Sequence, residues 1–310
     1  MAGTGLVGVG GWGKNHARVL SELGALAAIC DTDASRAEAF SRKYGVPAYD
    51  SLDKMLSAER LRSAHVCTPT TTHAPVALKL MDAGLDVFVE KPLASSVAEG
   101  RKIADFARDR GRTVAVGFIE RFNPAVSYLK KLVQEGRLGE LLLCEFHREN
   151  RWGGVKDVGI LLDTTVHDID TARYIFGEEP LQVFARTGKV SGQHEDFAVL
   201  MLGFRGHKTA TLTTNWVTPA KERKLTAVFT EGVVRLDFVQ QEVRIDNESG
   251  STIPTIDHGE PLMLEVRHFM KCLDEGTRPL VDAQEALKTS TVAEAASYSS
   301  AKRLPVTLQL

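Results

Sequence analysis

Three groups of residues in this chain have types and spacings that could do chemistry. The first is Glu90-Lys91-Pro92, which follows the apolar run Asp86-Val87-Phe88-Val89 and so sets a lysine at the carboxyl end of an expected buried strand. Open parallel sheets bind ligands at that end. An ammonium group there could hold a reacting oxygen and stabilise negative charge as it develops, although lysines on solvated loops are common bystanders. The second group is Gly8-Val9-Gly10-Gly11-Trp12-Gly13, a glycine pattern after one expected strand and before a helix. The third is Asp163, His167 and Asp170, at i, i+4 and i+7, which a helix places on one face with Tyr174 next along the stripe. An imidazole beside a carboxylate can move a proton near neutral pH.

The glycines have separate uses. Gly8 permits a tight turn, Gly10 lets the main chain approach a pyrophosphate, and Gly13 lets helix and strand pack closely, while the helix N-terminus offers N–H groups. Gly11 and Trp12 belong to the same loop. Asp31 ends the second expected strand, where a carboxylate bonds ribose hydroxyls and repels a 2′-phosphate. NAD is therefore the expected cofactor and NADP is disfavoured, although Ser35 and Arg36 lie close enough in sequence to hold a phosphate. A later strand ends at Cys67-Thr68-Pro69-Thr70, and His73 opens the next helix. Thr68, Pro69, His73, Glu90 and Lys91 are thus further cofactor candidates, with a plain helix cap as the alternative for 70–73.

Asp163, His167 and Asp170 could ligate a divalent ion, but no further ligand spacing supports one, so no metal is expected. Asp168 falls off the stripe and reads as an exposed or packing residue. Cations and aromatics gather nearby: Arg121 and Asn123 in Ile119-Glu120-Arg121-Phe122-Asn123-Pro124, then Arg148, Arg151, Trp152 and Lys156, then Asn215-Trp216-Val217-Thr218-Pro219-Ala220-Lys221-Glu222-Arg223. Arginine grips phosphate bidentately and tryptophan stacks on flat rings, so a nucleotide sugar would explain both. Surface charge with core tryptophan explains each residue singly as well.

The elements that must position these groups fall into two halves. With 310 residues, 43% hydrophobic and 25% charged, the chain is long enough for two cores. Segments 6–9, 26–30, 64–67, 87–89 and 113–116 read as strands alternating with helices such as 73–83 and 96–110, giving an α/β doubly wound parallel sheet over 1–118. Over 119–310, helices at 124–135 and 164–176 precede strands at 181–187, 197–204, 208–216, 223–230, 233–238 and 242–245. Helices at 261–275 and 283–301 and a short strand at 306–308 follow, so this half is α+β around an antiparallel meander. The net charge of -2 argues against nucleic-acid and anionic-membrane partners. Cys30, Cys67, Cys144 and Cys272 are scattered, and no apolar run reaches the roughly 20 residues of a membrane span, so a cytoplasmic protein acting on a small molecule is expected.

Gly8-x-Gly10-x-x-Gly13, Asp31, Glu90-Lys91-Pro92 and Asp163-x-x-x-His167-x-x-Asp170 together resemble the Gfo/Idh/MocA oxidoreductases across essentially the whole chain. The resemblance implies a Rossmann domain and a second domain whose large, open, mostly antiparallel sheet forms a homodimer or homotetramer interface, with substrate in the cleft between domains. It implies a nicotinamide-dependent dehydrogenase of sugars or cyclitols, with Lys91, Asp163 and His167 as the catalytic set and a Lys91-Pro92 bond that is often cis. Ile119 to Val126, Asp157-Val158-Gly159 and Asn215 to Pro219 look like the branch that oxidises the 3-hydroxyl of UDP-N-acetylglucosamine. Arg121, Asn123, Arg151 and Trp152 would then hold substrate with the catalytic set. Thr165 and Val166 replace the small residue and glycine common before the histidine. An inositol or free-sugar dehydrogenase is the alternative, and a non-catalytic NAD sensor a second one. Lysine and histidine could exchange the roles of oxygen holder and base.

Overall fold

Apolar runs that alternate with amphipathic stretches become parallel strands with crossover helices. A computed structural model describes residues 3–151, 157–190 and 193–310, so Trp152 and Lys156 lie outside the described residues. Strands β1 (Gly3–Val7), β2 (Leu26–Cys30), β3 (Ala48–Tyr49), β4 (Leu61–Val66), β5 (Asp86–Glu90) and β6 (Val114–Gly117) form one sheet in the order β3-β2-β1-β4-β5-β6. Every neighbouring pair is parallel. This is the doubly wound dinucleotide-binding order, whose direction reverses between β1 and β4. Helices α1 (Gly13–Glu22), α2 (Ala34–Tyr44), α3 (Leu52–Ala58), α4 (His73–Asp82) and α5 (Val97–Arg110) make the connections. Asp33, Ser51 and Ser96 accept main-chain N–H bonds at the starts of α2, α3 and α5.

The first compact unit does not end with β6. It comprises the chain to Gly117 together with Leu262–Leu287, a return that the expected boundary at 118 did not include. The reason is packing. Phe269 is 1% exposed and clusters with Phe88 and Ala115, and the Val116 N–H donates to the Val281 carbonyl at 3.0 Å. A late amphipathic helix thus finishes the core of the sheet that the N-terminal half begins. Fully buried His65 stacks on Phe88, with ring centroids 4.6 Å apart, and meets Phe269 edge-on.

In the second unit, α6 (Pro124–Glu135) starts with Asn123 accepting from the Ala125 N–H and Pro124 in the first turn. Then come β7 (Leu141–Glu149), α7 (Val166–Phe176), β8 (Gln182–Gly188), β9 (Phe197–Gly203), β10 (Thr209–Asn215), β11 (Glu222–Phe229), β12 (Gly232–Asp237), β13 (Glu242–Asn247) and β14 (Gly250–Thr252). After α8 (Pro261–Glu275) and α9 (Ala283–Lys302), β15 (Val306–Thr307) closes the far edge. Among the described residues the sheet has the order β14-β13-β12-β11-β7-β10-β9-β8-β15, with β7 and β10 its one parallel pair. The sequence pattern did not reveal β7, now a central strand. Its buried positions, Cys144, Phe146 and Arg148, alternate properly, but one of them is a charge. In β9, Ala198, Leu200 and Leu202 point inward while Phe197, Val199 and Met201 stay exposed.

Two outcomes follow from the first core. Phe269→Ala is expected to lose about 3–5 kcal/mol of unfolding free energy, measured by denaturant titration; a loss under about 1 kcal/mol would contradict the role given to α8. Burial, then the neighbouring His16, pushes the His65 imidazole well below its usual range. The unfolded chain therefore binds a proton that the folded chain refuses, so this contribution to stability is present above the unfolded value of 6.5 and lost as pH falls below it. Between pH 6.5 and 5, wild-type stability should fall more steeply than that of His65→Leu, by about 1 kcal/mol per pH unit. Parallel curves would contradict the assignment.

Candidate active site

At the end of β1 the chain must turn and start α1 within a few residues. Gly8 has φ +87°, and a Cβ there would lie 2.7 Å from the Cys67 carbonyl oxygen; one on Gly13 would lie 2.0 Å from the Gly8 carbonyl oxygen. These two are required by packing. Gly11 faces open space and Gly10 meets only the Arg36 guanidinium, at 3.9 Å, so room is left for a ligand at the loop. Helix α1 begins with no side-chain cap and no acidic residue in its first turn, which suits an anion. Trp12 is 45% exposed beside it.

Asp31 is buried, with Oδ2 accepting from the Val9 N–H and Oδ1 from the Asp33 N–H, both at 2.9 Å. Arg36 reaches both carboxylate oxygens at 3.3 Å and also pairs with Asp33, so the guanidinium is partly neutralised. At the end of β4 the Thr68 hydroxyl is buried without a partner among the described residues, and Pro69 is exposed. An open glycine loop, an anchored carboxylate and an orphaned hydroxyl at the strand ends fit NAD. Gly8 to Gly13 would hold the pyrophosphate, Asp31 the ribose and Thr68 the nearer polar groups.

His73 departs from its expected cofactor contact. It is buried, and its ring nitrogens lie 2.8 Å from the Pro92 and 2.9 Å from the Thr68 carbonyl oxygens. It braces the end of β4 against the segment after β5. Glu90 also departs from a direct cofactor role. Oε1 lies 2.7 Å from His16 Nε2 and Oε2 accepts the Lys91 N–H at 3.1 Å, all inside the fold. Gly117, opposite Glu90 on β6, makes this possible, since a Cβ there would come within 3.0 Å of the carboxylate. Lys91 follows at the strand end, half-buried, with the Lys91-Pro92 bond cis.

In the second unit the expected single helix is interrupted. Residues Leu161–Thr165 form a π turn that passes into α7 at Val166. Such turns add a residue to the helical count and frequently mark functional sites. Asp163 and His167 are both half-buried, and the Phe118 ring meets the imidazole edge-on at 6.3 Å. The Trp216 indole N–H donates to Thr164 Oγ1 at 2.9 Å, and that hydroxyl donates to Asp163 Oδ2 at 3.1 Å. The indole is thus an orienting donor.

Asp170 does not join this polar pair. It is 1% exposed and takes a two-point grip from Arg121 at 2.7 and 2.8 Å, with Thr289 also donating. Arg121, expected on substrate, is therefore a buried structural cation. Asn123 is likewise buried, capping α6 and donating to Glu120 and to the Phe238 carbonyl. Asp168 is neither exposed nor idle: it pairs with Arg148, which also bonds Glu120 at 3.0 Å. Burial pushes the Asp168 carboxyl up and Arg148 pulls it back. Burial, then Arg148 across the strand pair, holds the Arg223 guanidinium below its ordinary value. Arg151 stays exposed at the end of β7.

Sequence reasoning missed Thr164, because it follows Asp163 directly and lies off the helical stripe. It also missed His16 and His65, which carry no motif, and Gly117, whose role appears only once β5 and β6 are paired.

Two family models match the chain: the Gfo/Idh/MocA oxidoreductase family, NAD-binding Rossmann fold, over 2–118, and the Gfo/Idh/MocA C-terminal domain over 126–235. An inositol 2-dehydrogenase of Rhizobium meliloti is 25% identical over 325 residues, 98% of each chain. A UDP-N-acetylglucosamine 3-dehydrogenase of Acidithiobacillus ferrooxidans is 26% identical over 254 residues, 82% of this chain and 79% of that enzyme. Among solved structures, an Agrobacterium radiobacter oxidoreductase in complex with NAD+, L-tartaric acid and magnesium has the same fold, with a TM-score of 0.91, 19% identity, and 99% of this chain and 98% of that one covered. Glycine loop, anchored aspartate, strand-end lysine and both family matches converge on one assignment: the chain belongs to the Gfo/Idh/MocA oxidoreductases and carries their NAD-binding Rossmann domain.

Proposed function

We propose that this oxidoreductase converts a secondary hydroxyl of a sugar or cyclitol to a ketone, and that the sugar is a UDP-N-acetylhexosamine oxidised at C3. The observation that carries the proposal is Lys91, held at the carboxyl end of β5 in a domain built for NAD. NAD, when bound, supplies the hydride acceptor that alcohol oxidation needs. His167 takes the hydroxyl proton, Lys91 holds the oxygen as the C–O bond gains double-bond character, and Asp163 orients the polar groups around it. The Trp216 to Thr164 chain keeps the Asp163 carboxylate in one orientation. A protein that only sensed NAD would need none of these groups.

The nucleotide-sugar reading is supported by the likeness to the Acidithiobacillus enzyme and by the exposed Arg151. The internal pairing of Arg121 and Arg148 favours the second reading, an inositol or free-sugar substrate, because two cations expected on a diphosphate are already neutralised. We also propose that the outer face of the large sheet joins copies of the chain. Phe197, Val199 and Val217 are exposed there around a depression of about 340 Å³. Val199→Glu should give monomers in light scattering; an unchanged mass would remove this face as the interface.

NADH formation should be screened with UDP-N-acetylglucosamine, free hexoses and inositols. The expected result is turnover with the nucleotide sugar, and turnover only with inositols would establish the second reading. Lys91→Ala should lower kcat by about a hundredfold or more with NAD affinity nearly intact. An unimpaired variant would overturn the mechanism.

A further inference from the structure

Three of the buried titratable side chains that the mechanism leaves unused lie together in the first unit. His16 and His65 are fully buried, and Glu90 is 6% exposed. They form a line: His65 Nδ1 lies 2.9 Å from His16 Nδ1, His16 Nε2 lies 2.7 Å from Glu90 Oε1, and Glu90 Oε2 accepts the Lys91 N–H. A carboxylate only accepts, so His16 donates from Nε2. The contact between the two Nδ1 atoms needs one donor and one acceptor, and the tautomer in which His16 accepts makes His65 the donor there. The remaining nitrogen, His65 Nε2, has no partner among the described residues and sits where Phe88 and Phe269 surround the ring. With these tautomers each bond within the line has one donor and one acceptor, and burial favours the neutral form of His65.

Polar groups buried this way contribute little net stability, because desolvation offsets their attraction. What they supply is direction. The line fixes the carboxylate over Gly117, and the carboxylate fixes the main chain where Lys91 leaves the strand. His16 lies in α1, one turn beyond the N–H groups that face the glycine loop.

We infer that His65 and His16 are positioning residues that act through Glu90 to set Lys91, joining the lysine to the helix that receives the cofactor's pyrophosphate. This rests on the reading of Lys91 as the catalytic group. A displacement of about 1 Å at a reacting group can cost on the order of a hundredfold in rate, so the line reads out in kcat.

The test compares His16→Leu, which removes the donor, His16→Gln, which keeps an N–H toward Glu90, Glu90→Gln and Lys91→Ala, each checked for folding by circular dichroism. His16→Leu and Glu90→Gln should each lower kcat about tenfold or more while the KM for NAD moves less than about threefold. His16→Gln should recover most of the loss, which a purely structural defect would not do. Independently of turnover, long-range 1H–15N spectra of the apo protein should show His16 protonated at Nε2 and His65 at Nδ1. Should His16→Leu fail to fold, Glu90→Gln and the spectra decide. Full activity in Glu90→Gln with a dead Lys91→Ala would overturn the inference and leave the catalytic reading standing, as would the opposite tautomers. An active Lys91→Ala would overturn both.

Discussion

The hydrogen bond from the Lys91 main-chain N–H to the Glu90 carboxylate, 3.1 Å long, marks the place where the fold and the chemistry meet. A parallel sheet delivers strand ends to one edge, and the glycine turn after β1, the orphaned hydroxyl after β4 and the lysine after β5 all lie there. For the lysine to have a fixed origin, the acid before it must be buried and held, and this requires a space that only glycine leaves on β6 and a histidine in α1. His73 braces the same segment from α4. The sheet therefore determines the neighbourhood of Lys91, and a few buried polar side chains determine its direction.

A similar economy governs the second unit. Five charged groups are buried as two paired clusters, in which Asp168 and Asp170 of α7 meet Arg148 with Glu120 and Arg121 respectively. Removing one member would strand its partner's charge at a cost of about 3–5 kcal/mol, so these residues are bound to the fold and withdrawn from ligand. What remains on the accessible side of the turn before α7 is Asp163 and His167, with a tryptophan and a threonine keeping the carboxylate in place.

Much of this was legible in the sequence. Alternation of short apolar runs with helical periods specified the parallel sheet, and the glycine spacing together with Asp31 specified its ligand edge. Other features were hidden for physical reasons. Strand β7 carries Arg148 inward, so a charge broke the alternation that announces a half-buried strand. The return of α8 to the first unit depends on Phe269 meeting Phe88, a contact between residues far apart in sequence. Arg121 and Asn123 sat in a cation-rich stretch suited to phosphate, but whether an arginine is spent on a buried aspartate is a property of packing. The π turn before α7 leaves no mark in residue spacing, and nothing in the helical stripe showed that Arg121 would take Asp170 away from it.

The proposed reaction requires Lys91 and His167 to act on the same substrate hydroxyl. A double-mutant cycle on kcat measures this most directly, using Lys91→Ala, His167→Ala and the pair. Groups that share one transition state are non-additive, so the double variant should be only about as slow as the worse single variant. Rate losses that multiply would show two residues acting independently and would contradict the account.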